Sequence, residues 1–109
     1  MNEYIDYFLN YLQTEKDASP NTIHKYRADL ERLFEYLKVT DINDINQNHL
    51  RDYLNHIRQA FNYTSSSIAN KINILHHFFR FLHDSGYIST NPAILIRPPR
   101  KKVKIPKVL

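Results

Sequence analysis

Between Thr64 and Gly86 the apolar residues Ile68, Ile72, Leu75, Phe79 and Leu82 recur at intervals of four, three, four and three. That period lines them up along one stripe of an α-helix, and such a stripe must be covered by other elements of the chain. The opposite stripe holds Ser66, Asn70, Asn73 and His77, flanked by Lys71 and Arg80, with no acid before Asp84. A solvated helix face is ordinarily rich in Glu and Lys, whereas these groups are short, polar and without fixed charge. Two readings stand at this point. The stripe is a solvated face, or it is one whose amides and hydroxyls meet base edges of duplex DNA while neighbouring cations meet phosphates.

The remaining composition favours helices throughout. Gly86 is the single glycine, and three of the five prolines lie in the last twelve residues, so the turns that hairpins require are missing. At 109 residues the chain suffices for one domain with a modest core. It has no cysteine, which removes disulfides and thiolate metal sites and points to a reducing compartment. The opening MNEYIDYFLNYL is too acidic and interrupted for a signal peptide, and no run of apolar residues reaches membrane-spanning length. A cytoplasmic protein without membrane contact is expected. Charge is split along the chain. Residues 1–45 carry five Lys/Arg against nine Asp/Glu, a net of −4, and residues 46–109 carry ten against two, a net of +8. Cations gathered in one half point more directly to nucleic acid than the overall +4 does.

Three further helices precede the long one. The first spans residues 2–16, with Tyr4, Ile5, Phe8, Leu9 and Leu12 inward and Tyr7 and Tyr11 widening the stripe. In the second, Ser19 caps the orphan amides, Pro20 takes the first helical position, and the helix runs to about Lys38. Its inward side is Ile23, Tyr26, Leu30, Leu33, Phe34 and Leu37; its outer face carries Asn21, Lys25, Ala28 and Arg32. The first turns are basic and polar, with Asn21, Thr22, His24, Lys25 and Arg27; cations there oppose the helix dipole, and a phosphate would fit them. The connector Val39–Asn46 tucks in Ile42 and Ile45. A third helix covers about Gln47 to Phe61, with Leu50, Tyr53, Leu54, Ile57 and Phe61 inward and Arg51, Asp52, Asn55, Arg58 and Gln59 outward. Thr64 or Ser65 caps the fourth helix and Gly86 stops it. After a short turn around Ala93–Leu95, the run RPPRKKVKIPKVL is basic, acid-free and proline-rich, hence extended: a phosphate strap or a linker.

Chemistry is harder to find. His24-x-x-Arg27 and His77-x-x-Arg80 match a pattern used on phosphodiesters, but so short a pattern recurs by chance among six histidines. His76 and His77 point to different sides of the helix, so no shared metal is expected. No phosphate loop, carboxylate pair or nucleophile triad stands out, and no cofactor, metal or catalytic residue is expected.

The stretch from Ser19 to Leu37, SPNTIHKYRADLERLFEYL, resembles the second helix of the core-binding domain of tyrosine recombinases, the phage-integrase and Xer-type site-specific recombinases. Its pattern there is roughly S-x-x-T-x-x-x-Y-x-x-D-L-x-x-F-x-x-[FY]-L. Thr64 to Leu82 is similar to the family's fourth helix, and Asn91-Pro92 with the basic run to Leu109 is similar to its interdomain linker. The resemblance implies an all-α, four-helix SAM-like orthogonal bundle over residues 1–96, with a basic linker at 97–109 leading toward a catalytic domain. It implies that the second and fourth helices cross in the major groove. That carries Asn21, Thr22, His24, Lys25 and Ala28, and Ser66, Ser67, Asn70, Lys71 and Asn73, to the DNA. The polar stripe adds His77, and the strap adds Arg100, Lys101 and Lys102. Two positions depart from the family, Asn70 and His76 standing where many members have Arg, which would lower the salt dependence by about 0.9 per lost phosphate contact.

The expected function is sequence-preferring duplex DNA binding as the N-terminal domain of a bacterial or phage site-specific recombinase. By itself the domain would be non-catalytic and monomeric. Its partners would be double-stranded DNA, its own catalytic domain and other protomers, in the nucleoid-associated cytoplasm. Two rivals are a helical protein–protein module that oligomerises through the aromatic first helix, and a small enzyme using His76, His77 or a tyrosine.

Overall fold

The computed structural model describes residues 2–98, and these form four α-helices and one 3-10 turn, with no strand among the described residues. Helix α1 is Asn2–Glu15, α2 is Pro20–Leu37, α3 is Gln47–Phe61 and α4 is Ser65–Asp84; the 3-10 turn is Ile42–Asp44. Helix α2 packs against the other three, and α1 also touches α4.

Each boundary has a local cause. The Ser19 hydroxyl accepts the Thr22 amide at 3.2 Å, and Pro20 begins α2 without an amide to leave unsatisfied. Thr64 does the same for α4, its Oγ1 accepting the Ser67 amide at 3.2 Å. Helix α3 opens on a reciprocal box: Asn46 Oδ1 accepts the His49 amide at 3.0 Å, and His49 Nδ1 accepts the Asn46 amide at 3.1 Å. Gly86, at φ 83°, ends α4 in a Schellman turn, with Tyr87 N–H donating to the Leu82 carbonyl and Gly86 N–H to that of His83. Left-handed Lys38 and Asn62 close α2 and α3.

The core gathers the inward stripes of all four helices. Phe78, fully buried on α4, sits at its centre, 5.4 Å edge-on from Phe8 of α1 and 5.8 Å from Phe34 of α2. Ile42 and Ile45 of the connector are buried as expected, and Ile88, Ala93 and Ile96 are buried in the same core. One expectation is corrected. Phe61 is 52% exposed rather than inward, because α3 ends there and its ring lies beneath the Arg32 guanidinium at 5.5 Å. In the turn near the C-terminal end it is Ala93 and Ile96 that pack inward, while Ile94 and Leu95 face solvent.

Candidate nucleic-acid interface

The crossing of α2 and α4 is held by one ion pair. Lys71 Nζ of α4 donates to Asp29 Oδ1 of α2 at 2.8 Å, and both side chains are largely buried. The ammonium also lies 5.0 Å from the centre of the Tyr63 ring. Arg32, one turn further along α2, reaches the Tyr63 hydroxyl at 3.4 Å. Charge removed from water at this depth is tolerated because it is paired. Asp29 Oδ2 nevertheless has no hydrogen-bond partner among the described residues. The negative charge of Asp29, after burial itself, helps push the Tyr53 phenol well above the ordinary tyrosine range.

The expected polar faces diverge from this crossing. On α2, Asn21, His24, Lys25 and Ala28 are exposed, with Lys25 one turn before Asp29 and Ala28 its chain neighbour. On α4, Ser66, Asn70, Asn73 and His77 are exposed, with Asn70 adjacent to Lys71. The Asp29–Lys71 bond thus joins the two helices at residues that adjoin Ala28 on α2 and Asn70 on α4 in sequence. Thr22 and Ser67 are half-buried and hold equivalent places three residues into the two caps. The Thr22 hydroxyl is 3.0 Å from that of Ser19, and the Ser67 hydroxyl accepts from Thr64 at 3.2 Å. Arg100, Lys101 and Lys102 lie outside the described residues.

Lys71 differs from the expectation of a cation offered to phosphate, since its charge is spent inside the protein on Asp29. Arg27 is likewise engaged, 3.0 Å from Asp6 of α1 and 3.9 Å from Glu31. Among the cations of the two faces, Lys25 and Arg32 are exposed with no ion pair among the described residues, Arg32 lying against Tyr63 and Phe61. Asp29 is the residue that sequence reasoning overlooked. Its signal was present: it stands in the row Lys25, Asp29, Arg32 on α2, and α4 has no acid of its own within reach of a half-buried Lys71.

The adjacent histidines of α4 have different surroundings. His76 donates through Nε2 to the Ile96 carbonyl, tying α4 to the end of the described chain, while His77 faces outward. No cluster of metal-ligating side chains occurs among the described residues. No helix there is long and apolar enough to cross a membrane.

With the crossed helices in place, the comparison with known proteins decides the family. Residues 5–86 match the family described as "Phage integrase, N-terminal SAM-like domain". The chain belongs to that family. It is 34% identical to "Tyrosine recombinase XerC" of Oceanobacillus iheyensis, over 97% of this chain and 35% of that protein. It is 34% identical to "Tyrosine recombinase XerD" of Staphylococcus epidermidis, over the whole of this chain and 38% of that protein. A third relative, "Tyrosine recombinase XerD" of Rhizobium meliloti, is 32% identical over 97% of this chain and 34% of its own length. The chain therefore spans about a third of the curated relatives it matches. No solved structure matches it. The four-helix bundle is this family's all-α, N-terminal SAM-like domain.

Proposed function

We propose that this domain binds duplex DNA for a site-specific tyrosine recombinase, laying the outer faces of α2 and α4 into the major groove. The observation that supports the reading is the Asp29–Lys71 pair, which ties together the two helices whose exposed residues include Lys25, Ser66, Asn70 and Asn73. Asn70, Asn73 and Ser66 offer the donors and acceptors that read base edges, while Lys25 and the positive end of the α2 dipole offer positive potential to a phosphate. The basic run with Arg100, Lys101 and Lys102 adds cations suited to phosphates. Lys71 serves here by fixing the angle between the two helices. Strand cleavage falls to other parts of a recombinase chain, and the domain acts beside its own catalytic domain and further protomers.

Titrating labelled protein with pooled 30-base-pair-scale duplexes, about three helical turns, and following backbone amide shifts tests the reading. The largest shifts are expected over 21–28 and 66–77. Shifts concentrated on α1 or α3 would overturn the groove assignment.

A further inference from the structure

A second surface lies outside the faces given to DNA. Between α3, the start of α4 and the turn after Ala93 runs an open groove of about 530 Å³. Arg51 and Arg58 of α3 and Arg97 of the closing segment line it, and no carboxylate does. None of the three has an ion-pair partner among the described residues. The floor is aliphatic, formed by Ile68 and Ile72, and Leu95 stands at the rim 58% exposed. His76, through its bond to the Ile96 carbonyl, holds the chain that carries Arg97 against the bundle.

We propose that this groove docks an acidic amphipathic helix of a partner protein. Three unpaired guanidiniums around an aliphatic floor are complementary to a ligand that combines carboxylates with branched apolar side chains. Arginine takes carboxylates in a bidentate fork, and the floor takes the apolar face. The geometry sets the register. Arg51 and Arg58 are seven residues apart on one helix, hence about 10.5 Å along its axis. A partner helix lying alongside α3 meets both with acids at i and i+7, and presents apolar residues at i+3 and i+4 to Ile68, Ile72 and Leu95. A DNA backbone satisfies the cations but brings nothing aliphatic to Leu95 or the floor. Asn70 and Ile72 are about 200° apart around α4, so the groove opens away from the polar stripe and the two surfaces are occupied independently. The inference therefore does not rest on the DNA reading.

The test uses synthetic helical peptides of about four turns bearing Glu at i and i+7 and Leu, Ile or Phe at i+3 and i+4. Matched peptides carry Lys in place of Glu. Fluorescence anisotropy against the full chain is expected to show salt-dependent binding of at least one Glu peptide. That binding weakens by about tenfold or more in R51E/R58E, with R51Q/R58Q intermediate. The Lys peptide gains affinity for R51E/R58E only, and duplex DNA affinity changes by less than about twofold. Glu peptides that fail to bind, or bind R51E/R58E as well as the original chain, overturn the proposal. So does a loss of duplex binding in R51Q/R58Q with peptide binding untouched, which would assign the arginines to phosphates.

Discussion

Lys71 and Asp29 meet at 2.8 Å with 14% and 13% of their side chains exposed, so the bond between α4 and α2 is an interior one. The two single substitutions and the double one therefore behave differently. Lys71→Ala leaves a half-buried carboxylate alone and is expected to cost about 3–5 kcal/mol; Asp29→Leu with Lys71→Met is expected near neutral or stabilising. The partnerless Asp29 Oδ2 argues the same way, since the apolar pair removes that unsatisfied oxygen too. Urea unfolding gives the stabilities. In the double variant the salt slope of duplex binding stays unchanged, whereas a Lys71 that neutralised a phosphate would lower it by about 0.9.

Lys25 and Asn70 separate positioning from reading. Lys25→Ala should weaken binding to every duplex alike and reduce the salt slope by about 0.9. Asn70→Ala or Asn73→Ala should leave the slope intact and relax sequence preference by about 1–3 kcal/mol where the amide is bidentate to a base. Anisotropy titrations at several salt concentrations, on selected and scrambled duplexes, distinguish the two. Equal losses on both duplexes for Asn70→Ala would remove it from the reading face.

Phe78 and Phe61 test where the core ends. Phe78 is fully buried among Phe8, Phe34 and Phe79, and Phe78→Ala is expected to cost about 3–5 kcal/mol. Phe61, 52% exposed, loses only its contacts with Arg32 and Tyr63, and Phe61→Ala should cost about 1 kcal/mol or less. Comparable losses in thermal unfolding for the two variants would contradict this placement.

What was legible in the sequence, and what was not, follows from the range of the forces involved. The caps at Ser19 and Thr64, the stop at Gly86 and the stripe from Ile68 to Leu82 depend on neighbours within a turn or two, and each is where its residues place it. Phe61 misled because periodicity says nothing about where the covering helix runs out. Lys71 misled because its partner lies 42 residues away on another helix, and helical spacing alone shows which face a charge occupies without showing what crosses over it. Both polar faces were legible as exposed. The bond joining their helices at Asp29 was not, since only packing reveals it. The Arg51–Arg58 face looked merely solvated until the closing turn brought Arg97 and Leu95 beside it.

Tyr53 gives the fold an alkaline weakness. Burial first, and the nearby Asp29 charge second, push its phenol well above the ordinary value of 10.0. A raised pKa in the folded state means that the folded chain keeps a proton which the unfolded chain releases. The stability tied to Tyr53 is therefore fully present below pH 10.0 and is lost as the pH rises beyond it. The slope is about 1.4 kcal/mol per pH unit for a single phenol. Tyr26, raised by burial as well, adds in the same direction. Tyr53→Phe keeps the ring against Tyr36 at its 5.6 Å separation and removes the titrating group, so it should flatten part of the decline while matching the original chain at neutral pH. Urea midpoints measured from neutral pH to above pH 10.0 check this, and parallel declines in the two proteins would mean that the Tyr53 phenol ionises without cost to the fold.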